Sequence, residues 1–140
     1  MTRWGAVGAA VVLVIVLSGC SSVEEKVDAA LDSATAATAS VSVVLDELDE
    51  GKALPAFADT VIGDALTELD SAESDLSQTG PIVDADAESD RATALVTIRN
   101  GIDAVLKARE DVAAGNDLGD AMDRVDEVIR VLGQLTGDGS

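Results

Sequence analysis

Apolar residues recur at alternating spacings of four and three along most of this chain. Val27, Leu31, Ala34, Thr38, Val41, Leu45 and Leu48 form the first series, a spacing that keeps one helical stripe turned toward a partner. Ser22-Val23-Glu24-Glu25 reads as a capping box in front of it, with the Ser22 hydroxyl placed to accept from the Glu25 amide. Gly51-Lys52 is a credible stop, so a helix is predicted from 23 to about 50. The second series is Ala58, Ile62, Ala65, Leu69, Ala72 and Leu76, widened by Phe57, Val61 and Leu66. It opens at Pro55, which a first helical turn accepts, and closes at Thr79-Gly80-Pro81. Gly63 weakens its middle by about 1 kcal/mol against Ala. The third series is Leu95, Ile98, Ile102, Val105, Arg109 and Val112, interrupted by Gly101. Asp84, Asp86, Glu88 and Asp90 precede it, where the positive end of a helix dipole favours carboxylates. Arg109 falls on this stripe, its stem expected to pack and its head to reach water. The fourth series, Leu118, Met122, Val125, Ile129 and Leu132, follows a break at Gly115-Asn116, with Asn116 or Asp117 as the cap.

Four amphipathic helices joined by short breaks predict an all-α chain, an up-down four-helix bundle over residues 23–136 with a disordered tail over 137–140. The rival arrangement runs helices through the weak breaks at Gly51 or Gly115 and pairs the longer helices between chains. Ser33 to Ser42 is nearly all Ala, Ser and Thr, which lets another helix approach closely or leaves a cleft for an apolar ligand. Two echoes point to duplication. Ala37–Val43 resembles Ala92–Ile98, and Gly63–Asp70 resembles Gly119–Asp126. If they are real, the bundle is two pseudo-repeated helical hairpins with Gly63 and Gly119 in equivalent places.

The N-terminus departs from this pattern. After Arg3, residues Trp4 to Leu17 carry no charge. The run is shorter than the about 20 apolar residues of a membrane span and has the flanks of a signal-peptide core. Leu17-Ser18-Gly19-Cys20 closes it: an aliphatic residue, two small residues and a thiol. This stretch resembles the lipobox of bacterial lipoproteins. The resemblance covers residues 1–22 only. It implies that 1–19 is a signal peptide, that the Cys20 sulfur is acylated and becomes the first residue of the mature chain, and that 20–22 is a short tether to the bilayer. Cys20 is the single cysteine, which excludes an intrachain disulfide. The helical murein lipoproteins are a partial analogy, but the C-terminal Lys of that type is missing where this chain reads Asp-Gly-Ser, so covalent wall attachment is not expected.

Charge narrows the function classes. The 140 residues hold 9 basic and 27 acidic side chains, a net charge of −18. Such acidity excludes nucleic acid as a partner, because phosphates need Lys and Arg, and opposes lying flat on anionic lipid. Beyond Cys20 there is no His, Tyr or Trp, which removes the usual general base and most transition-metal sites. Carboxylate pairs at helical spacing (Asp28/Asp32, Asp46/Glu50, Asp64/Glu68, Asp120/Asp123/Glu127) are what 27 acids produce by chance. Asp84-x-Asp86-x-Glu88-x-Asp90 offers calcium-type oxygens but lacks the Gly and distal Glu of an EF-hand loop. No catalytic, cofactor-binding or metal residues are assigned.

The sequence therefore reads as a membrane-anchored lipoprotein on the extracytoplasmic face. Its non-catalytic acidic bundle is expected to act as an interaction or scaffold module on an envelope protein. The alternative is a binding module for Ca2+ or a small apolar or lipid ligand. Residues 21–140 are expected to give a strongly helical circular-dichroism spectrum and a monomer mass. A coil spectrum would indicate disorder, and a dimer mass intermolecular pairing.

Overall fold

The structure, a computed structural model, describes residues 22–137. They form four helices: α1 (Val23–Asp49), α2 (Pro55–Ser77), α3 (Ala85–Ala114) and α4 (Gly119–Gly137). Each end has a local chemical cause. The Ser22 hydroxyl accepts from the Glu25 amide at 3.2 Å and starts α1. Pro55 opens α2 without a side-chain cap. Asp84 starts α3 by accepting from the amides of Asp86 and Ala87 at 2.9 and 3.0 Å. Asp117, not Asn116, caps α4, accepting from the Gly119 amide at 2.9 Å. Gly137 is the last residue of α4 and not the first of the tail, and the remainder of the predicted tail, 138–140, lies outside the described residues.

The α1 and α3 stops share one device. Gly51 and Gly115 take left-handed backbone, φ 71° and 65°. The next amides, of Lys52 and Asn116, donate back to the Glu47 and Asp111 carbonyls at 2.7 and 3.0 Å. This is the Schellman closure, which satisfies carbonyls that a helix end leaves open. Both breaks are therefore turns between antiparallel helices, and the long-helix rival does not form.

The helices make an up-down bundle. Arg99 and Arg109 on α3 reach back to Glu73 and Asp59 on α2, and Ser42 on α1 donates to Asp126 on α4 at 2.9 Å. α1 and α3 each pack on α2 and α4; they also touch each other across the diagonal, whereas α2 and α4 do not meet. Burial explains this asymmetry. α1 buries three positions per seven residues: Val27, Ala30, Leu31, then Ala34, Ala37, Thr38, then Val41, Val44, Leu45. α3 does the same from Ala94 to Val112. α2 buries only two per seven: Ala58, Ile62, Ala65, Leu69, Ala72, Leu76. The wider stripes on α1 and α3 face three neighbours, and their small residues allow the diagonal contact. Leu45, Ile62, Leu69, Leu76, Ile98 and Leu132 are fully buried, each contributing about 1.5–3 kcal/mol of apolar burial.

Gly101 lies at the tightest point. A Cβ there would stand 3.3 Å from Val128 Cγ1, 3.7 Å from Leu69 Cδ2 and 3.9 Å from Thr38 Oγ1, so residues of the other three helices converge on it. Thr38 stays inside because its hydroxyl donates to the Ala34 carbonyl at 2.7 Å.

Three expectations need correction. The α3 stripe is Ala94, Ile98, Gly101, Val105, Ala108 and Val112. Leu95 and Ile102 only flank it, because the close diagonal contact admits small side chains. Arg109 is off the stripe and exposed, held by Asp59 at 2.7 Å. Phe57, expected to widen the α2 stripe, is 55% exposed.

The sequence echoes also fail as a structural repeat. They align buried Ala37, Thr38 and Val41 with exposed Ala92, Thr93 and Val96, and mid-helix Gly63 with Gly119 at a helix start. The hairpins do repeat in burial, at another register. Each of the nine buried positions of α1, advanced by 67 residues, falls on a buried position of α3: Val27 on Ala94, Leu31 on Ile98, Leu45 on Val112. From α2 to α4 the step is 63, Ala58 falling on Ala121 and Leu69 on Leu132.

Gly63 has nothing within 4 Å of a built Cβ. Gly63→Ala is expected to stabilise the fold by about 0.5–1 kcal/mol, and Gly101→Leu to destabilise it by about 1–3 kcal/mol through overpacking. Val128→Ala should partly relieve the second. Urea midpoints of the single and double variants check both.

Candidate functional site

Leu17, Ser18, Gly19 and Cys20 lie outside the described residues. The site that the described chain presents closest to them in sequence is a groove of about 510 Å³ where the starts of α1 and α3 meet the end of α4. The bundle pattern builds it. Val23, Val27 and Leu31 continue the α1 stripe to its first turn, and Leu135 extends α4 over them as a floor.

Carboxylates form the rim. Glu24 and Asp28 stand on α1, and Asp84, Asp86 and Asp90 on the opposite wall. All five are exposed. Among the described residues no basic side chain lines the groove, and none of these carboxylates has a Lys or Arg partner within 4 Å. Asp84 spends one oxygen on the α3 cap. Glu88, from the same acidic stretch, turns away to Arg91 at 2.8 Å. The four acids at calcium-like spacing are thereby divided among three tasks, and among the described residues no group of three or more acids converges on one metal position.

A second groove, of about 430 Å³, runs between α1 and α2 beside Lys26, Ser33, Glu68 and Asp75. Ser33 donates to Glu68 there at 3.5 Å. The inner face of the rest of the small-residue strip is closed. Ala34, Ala37, Thr38 and Val41 are buried in helix contacts, and Thr35 and Ser40 donate to their own helix at 2.7 Å. Close packing accounts for the strip. The helical carboxylate pairs all lie on exposed faces.

Arg91 carries a role that periodicity does not signal. Its side chain is 18% exposed, and its Nη1 donates to the Thr79 and Leu76 carbonyls at 3.0 and 3.5 Å. A cation thus sits on the C-terminal end of α2, where the helix dipole is negative. The one available hint is an Arg just after an acidic helix start, across a loop from a helix end without basic residues.

At the opposite end of the bundle, Asp111 is nearly buried. It accepts from the Asn116 amide nitrogen at 3.0 Å and faces Lys107 and Arg124 at 3.4 and 4.0 Å. The Asn116 bond holds its pKa below the ordinary carboxylate value, Lys107 and Arg124 add to this, and partial burial opposes it. Arg109 lowers Asp59 and Arg130 lowers Glu127 in the same direction, each through a direct hydrogen bond. These shifts belong to helix caps and surface ion pairs.

The chain matches no protein-family model, no curated protein sequence and no solved structure.

A depressed native pKa stabilises the fold above the unfolded value of about 3.9, and that contribution is lost as pH falls through the native value. Asn116→Ala is therefore expected to destabilise the protein near neutral pH. The difference from wild type should shrink as pH falls below about 4. Urea unfolding across that range checks it; a pH-independent difference would assign the loss to the backbone turn alone.

Proposed function

We propose that this chain is a bacterial lipoprotein, anchored by acylated Cys20 to the extracytoplasmic face of a membrane, whose acidic bundle is a non-catalytic docking module for an envelope protein. The observation that carries the proposal is Leu17-Ser18-Gly19-Cys20, directly after the uncharged run Trp4–Leu17 and the single charge of Arg3. No helix among the described residues is long and apolar enough to cross a membrane. One further observation supports the docking role. The ionisable side chains with shifted pKa values are engaged in ion pairs and a helix cap, which suits a binding body better than an enzyme.

The tether sets the geometry of this reading. α1 begins three residues beyond Cys20, so Glu24, Glu25 and Asp28 stand within the first two turns above the lipid. Repulsion from anionic headgroups, which acts over about 8–10 Å in physiological salt, favours an upright bundle with its groove near the membrane. Docking accounts for the acidic stretch better than calcium does, because Asp84 and Glu88 are already committed to the cap and to Arg91.

Cys20→Ser is expected to abolish labelling by a fatty-acid analogue and release the protein from the membrane fraction. Retention of the variant with membranes would overturn the anchor. Crosslinking in intact envelopes, with photoreactive residues on the exposed acidic face, should give a discrete adduct that unmodified protein lacks. Uniform labelling without an adduct would overturn the docking role.

A further inference from the structure

We infer that the groove between the starts of α1 and α3 and the end of α4 is the docking site, and that its occupant is a basic amphipathic segment of a protein partner. The segment presents two or three aliphatic side chains flanked by Lys or Arg. This rests on the docking reading above and names its site and partner chemistry; it does not depend on the lipid anchor.

Dimensions set the size of the occupant. From Val23 to Leu31 the groove follows eight residue steps of α1, about 12 Å at helical rise. That length matches about two turns of a helix laid into it, and a volume of about 510 Å³ holds two or three aliphatic side chains. Val23 and Leu135 remain partly exposed at the floor, so apolar surface is available to cover.

The rim sets the charge. Five carboxylates line the walls, and among the described residues no cation stands beside them. Carboxylates without a cation also stand elsewhere on the described helices, Asp46 and Glu47 among them; those of the rim differ in bordering a groove with an apolar floor. Their arrangement also discriminates among occupants. They do not converge on a point, so a row of positive charges fits them and a single metal ion does not. A second copy of this chain, at a net charge of −18, is repelled, and so is an anionic lipid headgroup. An uncharged acyl chain would leave the rim unpaired.

The test uses the full chain in nanodiscs of zwitterionic lipid. The probe is a fluorescent Lys/Leu peptide of about three helical turns. A Lys/Ser peptide of equal charge is the control. The Lys/Leu peptide is expected to bind at least about tenfold more tightly, and Asp28→Asn with Asp90→Asn to weaken it about tenfold. Asp46→Asn with Glu47→Gln, exposed and far from the groove, should leave binding within about twofold. Leu135→Ser should lower affinity for Lys/Leu and not for Lys/Ser. Equal binding of the two peptides would overturn the proposal, because general acidity then explains it. Equal effects of the two acid pairs would overturn it too. Binding that appears only in Cys20→Ser would overturn it in favour of the protein's own acyl chain as occupant. Loss of membrane retention is scored separately by fractionation, so failure of the anchor and failure of the groove are distinguishable.

Discussion

The bundle depends on how closely α3 can approach its three neighbours at Gly101. Residues of all the other helices, Thr38, Leu69 and Val128, lie within 4 Å of where a side chain would begin. Interiors pack at the density of organic crystals, so a methyl group at this position must displace something. Ala94, Ala104 and Ala108 extend the same restriction above and below. The diagonal contact between α1 and α3 follows, and with it the separation of α2 from α4. The cross-section is therefore a rhombus. The two grooves described lie at the surface, where helices end or splay.

An acidic protein of this size must also limit its self-repulsion. The means are local. α3 supplies Arg99 and Arg109, which reach across to α2, and Arg91, which sits on the α2 terminus. Exposed pairs of this kind contribute little individually; their placement on one helix seam matters more than their number. The start of α1 has only Lys26, which forms no ion pair among the described residues. Ion pairs therefore join α2 to α3 at Glu73 and Asp59, and among the described residues none reaches the carboxylates at the groove.

Much of this architecture was legible in the sequence. The spacing of Val27, Leu31, Ala34 and Thr38, the Ser22 cap, Pro55 and the stops at Gly51 and Gly115 each have one local cause, and local causes are readable one residue at a time. The α3 stripe was not legible, because Leu95 and Ile102 outrank Ala94 and Gly101 in hydrophobicity and only the presence of α1 reverses that order. Arg109 misled for the same reason: periodicity places it near the stripe, while Asp59 fifty residues away holds it outside. The groove is less legible still. Leu135 and Asp90 are far apart in the chain and become neighbours only once the bundle closes. The repeated burial at 67 and 63 residues is masked by different side chains at matched positions, such as Ala34 against Gly101 and Thr38 against Val105.

The position of α1 has a mechanical consequence. It is 27 residues long, about 40 Å at helical rise, and it touches all three other helices. A pull applied at its first turn acts along the helix axis, against contacts distributed over its whole length. The load is shear, which strains many contacts at once, whereas peeling would break them in turn. A tether attached to the end of α4, the shortest helix, would load a strip that meets only two neighbours. A load at the first turn of α1 is thus resisted by more of the fold than a load at the end of α4.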